Sequence, residues 1–184
     1  MHSPELLIPA GNLEKLRTAL LYGADAVYVG VEGLSLRASS SEMSLTDLAA
    51  GVKEAHQQGV KVYAAANTFA RNADLTRAEK IIPELAATGI DGLIVSEPGM
   101  FQLACRAAPR LPVHLSTQAN TTNIEAVKFW KDQGVRRIIL ARELNLKEIG
   151  EIAAAVPDME LEIFIHGAMC MSYSGRCYLS AFRN

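Results

Sequence analysis

Seven short apolar runs alternate with helix-like segments along this chain, and that alternation limits the folds it can adopt. The runs cover residues 5–9, 26–31, 61–67, 91–97, 112–118, 136–142 and 161–165. Between them lie segments with helix start and stop signals, such as Asn12 before and Gly23 after the first segment. Strands that are apolar on both faces and recur about every 25 residues, with helices between them, form a parallel sheet covered by helices. The sequence therefore predicts an α/β fold.

A closed barrel is favoured over an open sheet by the residues at the ends of the predicted strands. Nearly every strand ends in polar side chains, which are Asn67, Ser96, Glu97, Ser116, Gln118, Arg142, Glu143 and His166. In TIM barrels these C-terminal ends form the catalytic face. An open doubly wound sheet is the alternative, but Pro9-Ala10-Gly11 after the first strand is not the Gly-rich dinucleotide fingerprint. We predict a TIM-like (β/α) barrel with seven βα units.

The predicted barrel lacks an eighth unit, because only residues 181–184 follow the last motif. Unpaired edges on the first and last strands would favour association with another strand. We expect residues 1–184 to be one barrel domain, the truncated N-terminal part of a longer protein. The alternative is a homo-oligomer or strand exchange that covers the open barrel edge.

Composition and charge exclude several classes of protein. The formal net charge is −2, so no global basic field indicates nucleic-acid binding. No apolar run approaches the ~18 residues of a membrane span, and the N-terminus has no basic segment followed by an apolar one. The three cysteines are an odd number and do not describe a disulfide framework. We therefore expect a cytoplasmic protein that does not bind a membrane.

The loop after the seventh strand carries the strongest chemical signal, because Cys170 and Cys177 flank Gly175 there. Zinc or an iron–sulfur cluster normally takes four protein ligands. This loop supplies two, and Cys105 lies in a predicted helix, where burial is expected. The spacing alone leaves two interpretations open, which are two metal ligands or two structural thiols.

Three polar residues near this loop are candidates for catalysis. Glu162 lies within the predicted seventh strand, on the same side as His166. A carboxylate inside a barrel strand is costly to desolvate unless it is paired, and Arg142 at the mouth of the neighbouring strand is the candidate partner. That pair is either structural or binds an acidic substrate bidentately. His166 is either an acid/base or metal ligand, or a hydrogen-bonded structural residue.

In the predicted fifth strand, His114, Ser116 and Gln118 point to the same side of the sheet. A hydrolytic dyad of His114 and Ser116 therefore has to be considered. Residues two apart on one strand stand about 6–7 Å apart, because each residue advances the strand by roughly half that distance. A nucleophile and its base need hydrogen-bond contact. The sequence also contains neither HExxH nor GxSxG. These observations exclude the known protease centres that such motifs mark.

Two adjacent motifs resemble a known family. EIFIHGAMC (residues 162–170) and SGRCYLS (residues 174–180) match every fixed position of the signature of the collagenase-like peptidases of unassigned mechanism (family U, number 32). The segments ELLIPAGN, GADAVYVG, HLSTQAN and ILARELNL are also similar to that family. The resemblance therefore covers the whole chain. The segments SLRASSSEM, VKFWKDQG and VPDMELEIF are most similar to its tRNA-hydroxylating members.

The resemblance implies a barrel-like N-terminal domain and an unexpected chemistry. Several members that carry the peptidase name hydroxylate a tRNA wobble uridine, a ribosomal RNA cytidine or the ubiquinone ring, and tRNA hydroxylation draws on prephenate. In that branch four cysteines hold a four-iron cluster, and Cys170 and Cys177 match the first two of them. The other two lie further downstream than residue 184. We therefore expect the isolated chain to be inactive and to lack a complete cluster.

These observations combine into one functional hypothesis, a prephenate-linked tRNA uridine hydroxylase of the iron–sulfur type. Cys170 and Cys177 would bind the metal, and the predicted catalytic residues are Glu162, His166 and Arg142. The predicted substrate-binding residues are Gln118, Ser116, Asn67 and Glu97. Two alternatives stay open, a collagenase-like peptidase and a non-catalytic subunit that binds RNA or a partner enzyme.

Overall fold

A computed structural model describes residues 3–35, 42–167 and 172–175 of the 184-residue chain. The chain divides into two compact units, residues 1–112 and residues 113–184. In the described residues the elements are short parallel strands and six α-helices, in alternation. The predicted α/β class is therefore confirmed. No helix in these described ranges combines the length and the apolar character needed to cross a membrane.

The described residues of the first unit form five strands and four helices. The strands are β1 (Leu7–Pro9), β2 (Ala26–Val31), β3 (Glu42–Met43), β4 (Lys61–Ala66) and β5 (Gly92–Val95). The helices are α1 (Leu13–Leu21), α2 (Leu45–His56), α3 (Asn72–Ala87) and α4 (Pro98–Ala107). β2 pairs in parallel with β1, β3 and β4, and β4 pairs in parallel with β5.

Two helices of this unit, α1 and α2, begin directly after a capping side chain. The Asn12 side chain accepts a hydrogen bond from the Lys15 amide at 2.8 Å, and Ser44 Oγ accepts one from the Asp47 amide at 3.1 Å. Such caps satisfy amides that have no partner within the helix. Gly23, just past α1, has a φ of +82°, a left-handed conformation that glycine adopts without steric cost.

In the part of the second unit that the structure describes there are three strands and two α-helices. The strands are β6 (Val113–Leu115), β7 (Arg137–Ile139) and β8 (Glu160–Glu162), and β7 pairs in parallel with both of the others. The helices are α5 (Ile124–Asp132) and α6 (Leu146–Ala155). The buried apolar side chains of this unit include Leu115, Val127, Ile138, Leu140 and Ile152. They form the core that holds the strand ends in place.

The last strand ends earlier than the sequence predicts. Residues 161–165 were expected to be extended, but β8 stops at Glu162, which is paired with Ile139, the final residue of β7. The last of the backbone hydrogen bonds between these strands runs from the Leu140 amide to the Glu162 carbonyl, at 2.9 Å. Phe164 and Ile165 are consequently exposed, at 48% and 80%. The predicted placement of Glu162 and His166 on one side of a strand therefore does not apply.

Two other predicted spans differ from the structure. The two-residue strand β3 lies between the second and third predicted strands, where no strand was expected. The fifth predicted strand, residues 112–118, is reduced to β6, because Thr117–Ala119 forms a 3₁₀ turn. Gln118 lies in that turn, so its predicted common parity with His114 and Ser116 is wrong.

Candidate functional site

The C-terminal ends of β6 and β7 bring two polar loops together in the second unit. Thr117 Oγ1 donates a hydrogen bond to the Leu140 carbonyl at 3.1 Å. The Ala141 amide donates one to the Thr121 carbonyl, also at 3.1 Å. Arg142 directly follows Ala141, so these two bonds locate Arg142 beside the loop that follows β6.

The loop after β6 is shaped by two of its own residues. Ser116, which is 3% exposed, caps the 3₁₀ turn Thr117–Ala119, and its Oγ accepts a hydrogen bond from the Gln118 amide at 3.3 Å. Asn120 ends the turn in the left-handed conformation, with a φ of 56° and a ψ of 44°. Asparagine tolerates that conformation better than most residues. Ser116 thus has a structural role, and its predicted contact with substrate stays a prediction, as does that of Gln118.

Three buried polar atoms in these loops have no hydrogen-bond partner among the described residues. They are the Nε of Arg142, the Oγ1 of Thr121 and the Oδ1 of Asn120. Thr121 as a whole is 1% exposed. Leaving a buried donor or acceptor unsatisfied costs about 1–3 kcal/mol, so such atoms in a native protein require an explanation such as a bound water or ligand. The cluster offers a cationic donor, a hydroxyl and an amide oxygen.

Sequence reasoning identified only one member of this cluster. Arg142 was predicted because it follows a strand, whereas Asn120 and Thr121 were missed. A signal for Asn120 was present, since it belongs to the HLSTQAN segment that resembles the family. Thr121 is the next residue. Its importance depends on the burial of its hydroxyl, which the sequence does not display.

Glu162 has the cationic partner that its position in a strand predicts. The Nη1 of Arg137 lies 3.5 Å from Glu162 Oε2, and the Nε of Arg137 donates to Glu160 Oε2 at 3.1 Å. Arg137 and Glu160 are paired across β7 and β8, so the three charged side chains share one face of the sheet. The sequence suggested Arg142 as the partner of Glu162. The cation found beside this carboxylate is instead a residue of the adjacent strand.

His166 is exposed and lies beyond the end of β8. The sequence placed it on the same side as Glu162 because both were expected to belong to one strand. Since the strand ends at Glu162, that geometric reason is lost. Its assignment to catalysis stays a prediction.

A carboxylate at a predicted strand end, to which the sequence gave no specific role, binds the segment between the two cysteines. Glu143 Oε1 accepts a hydrogen bond from the Ser174 amide at 2.5 Å, and Glu143 Oε2 accepts one from Ser174 Oγ, also at 2.5 Å. Ser174 is completely buried and belongs to the 3₁₀ turn Tyr173–Gly175. We call this pair of hydrogen bonds the Glu143–Ser174 clasp.

The clasp changes the acidity of its carboxylate. Partial burial acts to raise the pKa of the Glu143 carboxyl. The hydrogen bonds from the Ser174 hydroxyl and amide, together with the positive charge of Arg142, act in the opposite direction. These favourable contacts outweigh the burial, so the pKa lies below its ordinary value. Glu143 is therefore a carboxylate at neutral pH.

Two of the predicted substrate-binding residues belong to the first unit. Asn67 follows β4, and its buried Oδ1 has no hydrogen-bond partner among the residues described. Glu97 caps α4, where its carboxylate accepts hydrogen bonds from the Gly99 amide at 2.8 Å and from the Met100 amide. Both carboxylate oxygens of Glu97 are thus committed to the helix. Binding of substrate by either residue stays a prediction.

The predicted metal ligands, Cys170 and Cys177, lie outside the described residues. Cys105 is exposed on α4, so its predicted burial is wrong. The buried side of α4 is formed instead by neighbours such as Met100 and Ala104. Partial burial raises the pKa of the Cys105 thiol, which keeps it protonated. Within the described ranges no group of three or more His, Cys, Asp or Glu side chains has the geometry to hold a metal ion.

Comparison with known proteins gives a consistent result. The chain is 48% identical over 184 residues to the tRNA hydroxylation protein P of Escherichia coli (strain K12), covering 100% of this chain and 41% of that protein. It is 43% identical over 179 residues to a 23S rRNA 5-hydroxycytidine synthase of the same organism, covering 97% of this chain and 27% of that protein. The chain thus spans less than half the length of these curated relatives.

A solved structure and a family model complete the comparison. The structure of the U32 peptidase Mk0906 superimposes with a TM-score of 0.75 at 18% identity, covering 99% of this chain and 76% of that one. At that identity the likeness concerns the fold. The model described as Peptidase family U32 matches residues 11–184. Because this match spans nearly the whole sequence, the chain belongs to peptidase family U32.

Proposed function

We propose that this chain is the TIM-like (β/α) barrel domain of an iron–sulfur-dependent enzyme that converts the wobble uridine of tRNA to 5-hydroxyuridine, with prephenate as co-substrate. The proposal is carried by the 48% identity, over the whole chain, to a protein named for tRNA hydroxylation. The relative named for rRNA cytidine hydroxylation supports an RNA substrate in general. In this account the protein acts in the cytoplasm on tRNA, and a homo-oligomer or strand exchange covers the open strand edge.

The cysteines fit the proposed cofactor by their chemistry. Thiolates are the ligands that iron–sulfur clusters take, and Cys170 and Cys177 provide two of the four required. The two missing ligands would come from outside residues 1–184. When bound, the cluster supplies one-electron redox chemistry. The contribution of the described residues is to bind and orient the substrates beside it.

The unsatisfied atoms after β6 and β7 are suited to an anionic co-substrate. A buried guanidinium Nε without a protein partner favours a carboxylate, because a charge-assisted hydrogen bond is the strongest that it can form. The Thr121 hydroxyl can donate to the same anion, and Asn120 Oδ1 can accept from a hydroxyl group. Prephenate carries carboxylates and a hydroxyl. In this scheme Arg142 and Thr121 bind the co-substrate, and Gln118 and Ser116 belong to the same loop.

Proton transfer is assigned to the two remaining candidates. Glu162 is held by Arg137 on the sheet face that it shares with Glu160, so its carboxylate has a fixed position. His166 is exposed and thus accessible to a substrate. Histidine is also the side chain whose ordinary pKa lies nearest to neutrality. We assign acid/base roles to both residues.

The direct test of the cofactor is anaerobic reconstitution of the full-length protein with iron and sulfide. We expect visible iron–sulfur absorbance in the wild type and its loss in Cys170→Ser and Cys177→Ser. Cys105→Ser is the matched control, because this thiol is exposed on α4 and is not among the proposed ligands. Absorbance that survives both ligand substitutions would contradict the proposal.

A peptidase is the second candidate, favoured by the name of the family and by the solved structure that carries it. Its test is an assay of the purified full-length protein on gelatin, with and without a metal chelator. Cleavage of gelatin without any modification of tRNA would favour the peptidase. Salt-sensitive binding of tRNA without a modified nucleoside would instead favour a non-catalytic RNA-binding subunit.

A further inference from the structure

We propose that Glu143 is a positioning residue that fixes the turn Tyr173–Gly175 and, through it, the chain segments that carry Cys170 and Cys177. The inference rests on the proposed function, because it assigns those cysteines to a metal. Glu143 is neither a predicted metal ligand nor a predicted catalytic residue. The residues that carry the argument are Glu143 and Ser174, both in the described part of the second unit.

Both carboxylate oxygens of Glu143 take part in the clasp. One carboxylate oxygen binds the Ser174 amide and the other binds the Ser174 hydroxyl, each at 2.5 Å. The two residues are 31 positions apart in the sequence, so this is a tertiary contact and not a local turn. A bidentate contact to one residue fixes both the distance and the direction of the turn relative to the loop after β7.

The clasp holds Ser174 in a backbone conformation that is unfavourable for serine. Its φ of 42° and ψ of 38° lie in the left-handed region, which is unfavourable for residues other than glycine. Glycine would relieve that strain but would lack the hydroxyl that donates to Glu143 Oε2. Serine at this position therefore indicates that the contact with Glu143 is needed as well as the turn.

The clasp also connects the cysteine segment to the cluster of unsatisfied atoms. The turn Tyr173–Gly175 packs against the turn Thr117–Ala119, which precedes Asn120 and Thr121. Glu143 directly follows Arg142, whose Nε is one of the unsatisfied atoms. A shift of Glu143 would thus move the turn and the proposed anion site together.

The clasp bears on the proposed metal site because Ser174 lies between the two cysteines in the sequence. Ser174 lies four residues after Cys170 and three residues before Cys177. A cluster requires its thiolates at set distances from one another, so a fixed point between two ligands reduces the conformations that the loop has to lose on binding. Glu143 would supply that fixed point without touching the metal.

The first test measures the turn itself, by amide hydrogen exchange in the full-length protein. Glu143→Gln should increase the exchange rate of the peptide that contains Ser174 by about tenfold or more, because a charge-assisted bond to the amide is lost. Ser174→Gly keeps the turn conformation and the amide bond, so its effect should be smaller than that of Ser174→Ala. Glu151→Gln is the matched control, since Glu151 is an exposed carboxylate on α6.

The second test measures iron retention, with the absorbance of the reconstituted protein followed after addition of a chelator. Glu143→Gln should lose absorbance about tenfold faster than the wild type, and Glu151→Gln should not. In the double variant Glu143→Gln with Ser174→Ala, the loss should be no faster than in Glu143→Gln alone, because both changes remove one contact.

The outcomes separate this inference from the proposed function. Unchanged exchange in Glu143→Gln overturns the positioning role. Faster exchange with unchanged iron retention also overturns it, because the turn would then not govern the cysteines. Absence of iron–sulfur absorbance in the wild type overturns the proposed function instead, and with it the consequence for the metal.

Discussion

Arg137 on β7 lies between Glu160 and Glu162 of β8, with its Nη1 3.5 Å from Glu162 Oε2 and its Nε 3.1 Å from Glu160 Oε2. The Arg137 side chain is only 11% exposed. Arg137 thus contacts two carboxylates on one face of the sheet, and Arg136 Nη2 lies 2.5 Å from Glu160 Oε1 as a second cation beside one of them. This arrangement explains how charged residues are tolerated in short strands whose other members are apolar.

Removal of Arg137 should therefore be costly. Arg137→Met should lower the free energy of unfolding by about 3 kcal/mol, because it leaves the largely buried Glu162 carboxylate without the cation beside it and removes one of the two cations beside Glu160. Glu162→Gln should cost less, since Arg137 keeps its bond to Glu160. Urea denaturation at neutral pH measures both changes. Lys128→Ala is the control, because the Lys128–Glu125 pair is exposed and should contribute less than about 1 kcal/mol. An equal loss of unfolding free energy in Arg137→Met and Lys128→Ala would contradict the prediction.

The Glu143–Ser174 clasp should depend on pH. Its carboxylate has a pKa below the ordinary value of 4.5, so the folded state favours the ionised form. The stabilisation is complete above the unfolded-state pKa and is lost as the pH falls through the lower folded-state pKa. The difference in exchange rate at Ser174 between wild type and Glu143→Gln should thus be present at pH 7 and disappear in acid, as the pH falls through the lowered folded-state pKa. A difference that is independent of pH would contradict the assignment.

Two helix glycines give a matched test of packing. A Cβ at Gly51 in α2 would lie 2.9 Å from Leu16 Cδ1, whereas a Cβ at Gly150 in α6 would have nothing within 4 Å. Gly51→Ala should destabilise the chain by about 1–2 kcal/mol, because the clash with buried Leu16 outweighs the better helix propensity. Gly150→Ala should stabilise it by about 0.5–1 kcal/mol. Thermal denaturation measures both, and a stabilising Gly51→Ala would contradict the packing of α1 against α2.

The buried hydroxyl of Thr121 allows an effect on co-substrate binding to be distinguished from an effect on the stability of the fold. Thr121→Val removes a buried hydroxyl that has no partner among the described residues, so the free energy of unfolding should stay the same or rise. If that hydroxyl binds the anionic co-substrate, the Kd of the full-length protein for prephenate should increase by about tenfold. Isothermal titration calorimetry measures this change, with the adjacent Thr122→Val as control. An unchanged Kd together with lower stability would assign Thr121 to the fold.

The sequence was informative about periodic features and about charge. The caps at Asn12 and Ser44 could be predicted because a local hydrogen bond determines each helix start. The need of Glu162 for a cation followed from the cost of burying a charge. The sequence suggested Arg142 rather than Arg137 as the partner, because it does not show where β7 ends. That end depends on pairing between strands, which no local pattern records.

Two predicted substrate-binding residues have a structural role that the sequence did not reveal. Glu97 and Ser116 follow strands and have the polar side chains of a binding site, yet each caps the element that comes next. Both functions use the same residue types, because both require an acceptor for hydrogen bonds. Glu143 was overlooked for the opposite reason. Its partner is 31 residues away, and only the folded chain brings the two together.

The central claim is that the protein to which this chain belongs hydroxylates tRNA through a metal bound by Cys170 and Cys177. Mass spectrometry of tRNA nucleosides from cells that lack the gene tests it most directly, with complementation by the full-length wild type or by Cys170→Ser. We predict that 5-hydroxyuridine and nucleosides derived from it disappear in the deletion strain, return with the wild type and stay absent with Cys170→Ser. Unchanged nucleosides in the deletion strain, or full recovery with Cys170→Ser, would contradict the account.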